Sequence, residues 1–264
     1  MLTKWKPGHA KDAGGMKIII NADDLGLDRR TNDAIFRLID KRRVTSATLL
    51  ANLPGLEEEE VTCRLPEFPY CSFGVHLNIS EGPPLAPQAA LGPILNGQGC
   101  FSGNAIRQVK ITSALRGAVY NEYAAQIERL LSLGVKISHI DSHHHVHTTP
   151  GLFPVLKRIQ KRFGIRKVRL SVNRYDEPIS WRLRLAKRLW NFALRRYYRT
   201  RTTRAFTSLA VFLDLVERHR INDESIELMV HPGLRECDAE TQMLYTPWEQ
   251  RIGFPIELIS YNEL

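Results

Sequence analysis

Lys17-Ile18-Ile19-Ile20-Asn21-Ala22-Asp23-Asp24 is a short apolar, β-branched run that stops on a polar stretch with two adjacent acids. Such a run reads as a buried strand that delivers polar groups at its C-terminal end. A helical pattern follows, with Ala34, Ile35, Leu38 and Ile39 on one face. The unit then recurs, with Ala47-Thr48-Leu49-Leu50 as strand, 55–64 as helix and Phe73-Gly74-Val75-His76-Leu77 as strand. Residues 80–105, rich in Pro, Gly and Asn, interrupt the rhythm as a long loop of the kind that lines sites. Beyond them the pattern predicts helices over 117–133, 151–163, 180–199 and 208–219, with a short one near 246–251. Strands are predicted over 136–140, 167–170, 226–230 and 256–260.

About seven strands mostly separated by helices imply an α/β fold, either a barrel or an open parallel sheet. The strand ends favour the barrel. Asp23 and Asp24 follow the first strand, His76 ends the third, Asp141 and His143 follow the next, and His231 follows Val230. Ionisable groups thus arrive from the C-terminal ends of separate strands, where barrel enzymes build their sites.

A chain of 264 residues can bury one substantial core, and a single domain is expected over 16–264. Residues 1–15 read as a flexible N-terminal tail without the apolar middle of a secretory signal. No apolar run approaches the roughly 20 residues of a membrane-spanning helix. Cys63, Cys71, Cys100 and Cys237 show no Cys-x-x-Cys spacing, which suits a reduced, cytoplasmic setting. The formal charge of +9 is concentrated in residues 181–204, which carry nine Lys or Arg and no acid. A projection of 184–199 puts Ala186, Leu189, Trp190, Ala193 and Tyr197 on one side, with Arg184, Lys187, Arg188, Asn191, Arg195 and Arg199 opposite. One reading is an outer barrel helix with a solvated basic face. The other is peripheral contact with the inner face of a membrane, where each basic residue near anionic lipid is worth roughly 1 kcal/mol.

Paired acids after an apolar strand repel each other unless a proton or cation neutralises one. With a metal present, one carboxylate can ligate the ion while its neighbour accepts a proton from water. Capping of the following helix is the plainer alternative. Residues 139–147, His-Ile-Asp-Ser-His-His-His-Val-His, hold five of the nine histidines. Packing hardly explains five imidazoles beside an acid, whereas metal binding or proton transfer does. In an extended stretch Asp141, His143, His145 and His147 would share one side, and one histidine is expected to pair with Asp141. His76 and His231, taken singly, read as satisfied core residues, and only the four segments together point to a shared site. No nucleophile elbow, Walker loop or dinucleotide fingerprint is present, so serine-nucleophile, ATP and NAD chemistries lose support.

Asn21-Ala22-Asp23-Asp24-Leu25-Gly26, Thr45-Ser46 with Asn52, Gly74-x-His76-Leu77, Asp141-Ser142-His143-His144-His145-Val146-His147 and His231-Pro232 together resemble the YdjC-like carbohydrate deacetylases. That family includes chito-oligosaccharide deacetylases. The motifs run in order from about residue 16 to at least 233, and Leu25 stands where the family more often has Phe. The resemblance implies a distorted TIM-type (β/α) barrel and one divalent metal ion held by Asp24, His76 and His143. It further implies Asp23 as general base, His231 as general acid and an N-acetylated sugar as substrate, while the basic segment 181–204 points to a lipid-linked or anionic glycan. Two imidazoles and a carboxylate suit Zn²⁺, Mn²⁺, Ni²⁺ or Co²⁺ better than Mg²⁺, which the family leaves open. A different amidohydrolase or a phosphoesterase would use similar clusters. A nucleic-acid binder would use the basic segment but leave the acid and histidine clusters without a purpose.

Overall fold

The computed structural model describes residues 15–56, 59–87 and 89–264. The tail expected over 1–15 lies outside them, apart from Gly15. Strand β1 (Met16–Leu25) leads through helix α1 (Arg29–Asp40) to β2 (Ser46–Leu49), and α2 (Glu59–Arg64) leads to β3 (Ser72–Leu77). After the long loop come α3 (Ser113–Ser132), β4 (Ile137–Ser142), α4 (Phe153–Phe163) and α5 (Trp181–Arg196). The chain continues through β5 (Ala205–Ser208), α6 (Leu209–Glu217), β6 (Ser225–Val230), α7 (Asp238–Tyr245) and β7 (Ile256–Leu258). Every strand pairing is parallel, in the order β4-β3-β2-β1-β6-β5, with β7 against the start of β1.

The sheet curls into a distorted TIM-type barrel. Residues 166–173 span the gap between β4 and β5: Arg169 N donates to Ile140 O on one side, and Val168 N and Asn173 N donate to Arg201 O and Phe206 O on the other. This segment is the strand expected over 167–170, but it meets its neighbours only through isolated bridges, Ile140 with Val168 and Lys167 with Arg201. The seventh strand is instead β5, whose four residues are too short for a periodic signal. In the C-terminal region the helix falls at Asp238–Tyr245, and only a 3₁₀ turn, Trp248–Arg251, occupies the place where a helix was expected.

Burial explains the order of elements. Ile18, Ile19 and Ile20 are wholly buried, as expected of a strand covered on both faces. Asp28 caps α1 by accepting from Thr31 N at 2.8 Å, and Ile35, Phe36, Leu38 and Ile39 turn inward. Behind β7, residues 259–264 cross the floor of the barrel, where the Tyr261 ring stacks on His139 at 3.6 Å.

Candidate active site at the barrel mouth

In a regular strand successive side chains point to opposite faces. Asp24 departs from this rule with φ +71°, a left-handed conformation that costs a non-glycine residue about 1–3 kcal/mol. The departure brings both carboxylates toward one imidazole: His76 Nε2 lies 3.2 Å from Asp24 Oδ1 and 4.0 Å from Asp23 Oδ2. Asn32 pins the following turn, accepting from Gly26 N at 2.7 Å and donating to Gly55 O at 2.9 Å.

His143 reaches the same point from the end of β4, with Nδ1 2.8 Å from Asp24 Oδ1. The ligand atoms of Asp24, His76 and His143 all lie within 4.8 Å of one another. The opposite nitrogen of His76 meets Asp141 Oδ1 at 2.7 Å, and Thr48 Oγ1 donates to Asp141 Oδ2 at 3.0 Å. A carboxylate behind an imidazole fixes its ring and tautomer, the usual support for a metal-binding histidine. The partner of Asp141 is therefore His76, not one of the five clustered histidines.

Those five do not share a side. The chain leaves the strand at Ser142, and His144 and His145 adopt positive φ, so period-two alternation ends there. Only His143 enters the cluster. His147 is buried between Ser142 Oγ at 2.5 Å and Arg169 O at 3.3 Å, a structural role, and His144 is exposed. Burial, with Arg169 nearby, holds His145 down to about 3 and keeps its ring neutral.

Arg169 is the centre of the network and escaped the sequence reading. Its guanidinium is fully buried, grips both oxygens of Asp23 at 2.6 and 2.7 Å, and meets Asp141 at 2.8 Å and Glu227 at 2.7 Å. The available signal was a charged residue within each of two apolar strand-like runs, Val168-Arg169-Leu170 and Ile226-Glu227-Leu228, since a buried charge requires a partner. Burial alone would raise Asp23, but the Arg169 charge overcomes it and holds the carboxyl well below the usual range. Burial likewise opposes ionisation of Asp24, and hydrogen bonds from His143 and His76 reverse the effect. His76 is pushed up to about 10 against its burial, chiefly by Asp141. Burial pushes Glu227 up to about 7 even with Arg169 beside it, and the Tyr261 hydroxyl donates to it.

His231, at the end of β6, stands at the rim with Nε2 3.9 Å from Asp23 Oδ2, and its backbone N donates to Glu240. Glu81, from the long loop, meets the outer nitrogen of His143 at 3.0 Å and was also not singled out from sequence. Of the groupings with metal-ligand geometry, Asp23, His76 and Asp141 already enclose the Arg169 guanidinium. Asp24, His76 and His143 offer a carboxylate and two imidazoles with no cationic side chain between them, and that donor set fits a divalent ion.

Fold and site together define a distorted α/β barrel with an acid–histidine cluster at the C-terminal ends of its strands. The chain belongs to the YdjC-like protein family, whose model matches residues 17–252. It is 38% identical over 155 residues to a carbohydrate deacetylase of Geobacillus stearothermophilus, covering 58% of this chain and 60% of that protein. A carbohydrate deacetylase of Halalkalibacterium halodurans is 31% identical over 220 residues, 83% of this chain and 85% of that protein. The chain thus spans about three fifths of the length of the first relative and most of the second. A solved Enterococcus faecalis protein, proposed to cleave cellobiose phosphate, superposes with a TM-score of 0.72 at 23% identity. The match covers 95% of this chain and 99% of that one and shows the shared fold.

Proposed function

We propose that the barrel mouth hydrolyses the N-acetyl group of an N-acetylated sugar, lipid-linked or part of a glycan, with one divalent ion held by Asp24, His76 and His143. The observation that carries this reading is the convergence of those three ligand atoms beside a separately tethered acid, Asp23. When bound, the ion polarises the acetyl carbonyl and lowers the pKa of a water, which offsets the weak basicity of a carboxylate paired with arginine. Asp23 accepts the proton of that water, and Arg169 keeps both its oxygens ionised and aimed. His231, partly exposed across the mouth, donates a proton to the sugar amine as the C–N bond breaks, leaving acetate and a free amine. The names of the relatives support the substrate class, and residues 181–204 provide the basic face for an anionic bilayer that carries the sugar.

The test is elemental analysis and acetate release for Asp24→Ala, His76→Ala and His143→Ala. Each variant should lose most of its metal and its acetate release. Wild-type metal stoichiometry in all three would remove the ligand assignment. Hydrolysis of phosphate esters with no acetate release from any N-acetyl sugar would replace the deacetylase with a phosphoesterase.

A further inference from the structure

Eight large apolar side chains are well exposed among the described residues, and six of them, Trp181, Leu183, Leu185, Leu189, Phe192 and Tyr197, lie on or directly after α5. The helix meets the body through Trp190, Asn191 and Leu194, while residues 181–186 are exposed on every side. The inward face is therefore rotated from the one expected: Asn191 is buried, hydrogen-bonded to the backbone of Ser171, and Leu189 is exposed. At about 100° per residue, Trp181, Phe192, Leu185 and Leu189 fall within an arc of about 80° facing outward. Arg184, Arg188 and Arg195 flank one edge of that arc and Arg182 the other, while Arg196, the last residue of the helix, falls within it.

This is the geometry of a helix lying in a lipid interface, with an apolar stripe below the headgroups and guanidinium groups level with the phosphates. The helix carries six cations and no acid, so its charge complements an anionic bilayer rather than another protein surface of mixed charge. No helix among the described residues is long and apolar enough to cross a membrane, so α5 lies on the surface without spanning it. A cavity of about 650 Å³ borders the stripe, lined by Arg184, Lys187, Arg188 and Phe192 of the helix and by Asp176 and Glu177 of the segment before it.

The position of α5 connects this face to the site. The helix returns antiparallel to the strands it joins, so its projecting N-terminal half lies at the strand C-termini. Lys187 is close enough to Arg107 for their charges to repel, and Arg107 donates to His144 O at 2.6 Å, one residue from His143. We infer that α5 inserts Trp181 and Leu185 of its projecting half, with Leu189 and Phe192 further along the same outward stripe, into an anionic lipid surface and sets the barrel mouth against it. The orientation rests on the deacetylase reading of that mouth; the surface itself does not.

The test uses the metal-loaded full chain with vesicles of phosphatidylglycerol mixed with phosphatidylcholine, or of phosphatidylcholine alone. One variant combines Trp181→Ser, Leu185→Ser, Leu189→Ser and Phe192→Ser, and a second combines Arg182→Glu with Arg188→Glu. Wild type should sediment with the anionic vesicles only, and both variants should lose at least about tenfold in partitioning. Both should keep wild-type metal content and acetate release from a soluble N-acetyl sugar, and lose release from a lipid-carried one. Absence of wild-type binding, or equal binding by the serine variant, overturns the inference. So does a wild-type dimer that the serine variant converts to monomer, which would make the stripe a contact between copies. Vesicle binding as expected without acetate release from any sugar would sink the deacetylase reading alone.

Discussion

The barrel mouth and the projecting half of α5 are both crowded with charge, and they handle it in opposite ways. At the mouth, Arg169 is fully buried and meets Asp23, Asp141 and Glu227 at 2.6–2.8 Å, so each charge is held by another. On α5, none of Arg182, Arg184, Lys187, Arg188, Arg195 and Arg196 pairs with a carboxylate among the described residues. Buried charges must be satisfied within the fold, because the desolvation cost is otherwise several kcal/mol per ion. Exposed charges carry no such requirement. The first group therefore reports on internal chemistry and the second on what the protein meets outside.

The sharpest way to break this comparison is to remove one cation from each region. Arg169→Met leaves three buried carboxylates facing one another and should lower stability by about 3–5 kcal/mol, read as a fall in the urea midpoint. Arg188→Met on α5 should shift the same midpoint by less than about 0.5 kcal/mol. Equal midpoints for the two variants would show that the mouth network is not what holds the barrel together. A milder probe keeps the network's shape: Asp23→Asn should retain metal while turnover falls about 10²-fold or more, since an amide cannot accept the proton. Wild-type turnover in the metal-replete variant would remove Asp23 from the chemistry.

The two regions also differed in how far they could be read from sequence. The apolar run 17–20 and the acids after it were legible because strand burial and strand-end polarity leave local marks. Asp24, His76 and His143 came together as the motifs implied, whereas Arg169 and Glu81 join the site through contacts 146 and 62 residues apart in the chain. No local pattern encodes those separations. Strand alternation failed at His144 and His145 because a positive φ is a property of the turn and leaves no period. On α5 the projection found an amphipathic helix whose apolar side shares only Trp190 with the face that the fold buries. A helix with apolar residues on two sides does not say which side meets the core, and only Trp190, Asn191 and Leu194 against the body decide it.

Between these extremes lies the barrel floor, where a packing change without charge sets a scale. A Cβ at Gly74 would approach the His139 ring to 2.4 Å, and that ring is itself held against Tyr261. Gly74→Ala should cost about 1–3 kcal/mol by overpacking, with metal content unchanged. Stability equal to wild type by urea melt would mean that the His139–Tyr261 stack is loose enough to move aside.

A smaller effect than the loss of Arg169 or the overpacking at Gly74 is expected where α5 is fastened. Lys157 on α4 donates to Leu194 O at 2.9 Å, Tyr197 O at 3.2 Å, Gln160 Oε1 at 2.8 Å and Thr200 Oγ1 at 2.8 Å, tying down the anchored end of the helix. Burial lowers its ammonium from the ordinary 10.5 to about 8. The folded value lies below the unfolded one, so between those two pH values the unfolded chain binds more protons and the Lys157 contribution to stability rises with pH. Below pH 8 both states are protonated and the contribution is flat at its least favourable. Lys157→Met removes this titration, so the wild-type urea midpoint should gain on the variant's as pH climbs from about 8 to 10.5. The gain should stay under about 1 kcal/mol, because the half-buried ammonium keeps solvent contact that screens it. Loss of the hydrogen bonds shifts the variant's whole curve without changing its slope, so the slope difference isolates the charge. Parallel curves would show that Lys157 holds α5 by hydrogen bonding alone and keeps its ordinary proton affinity there.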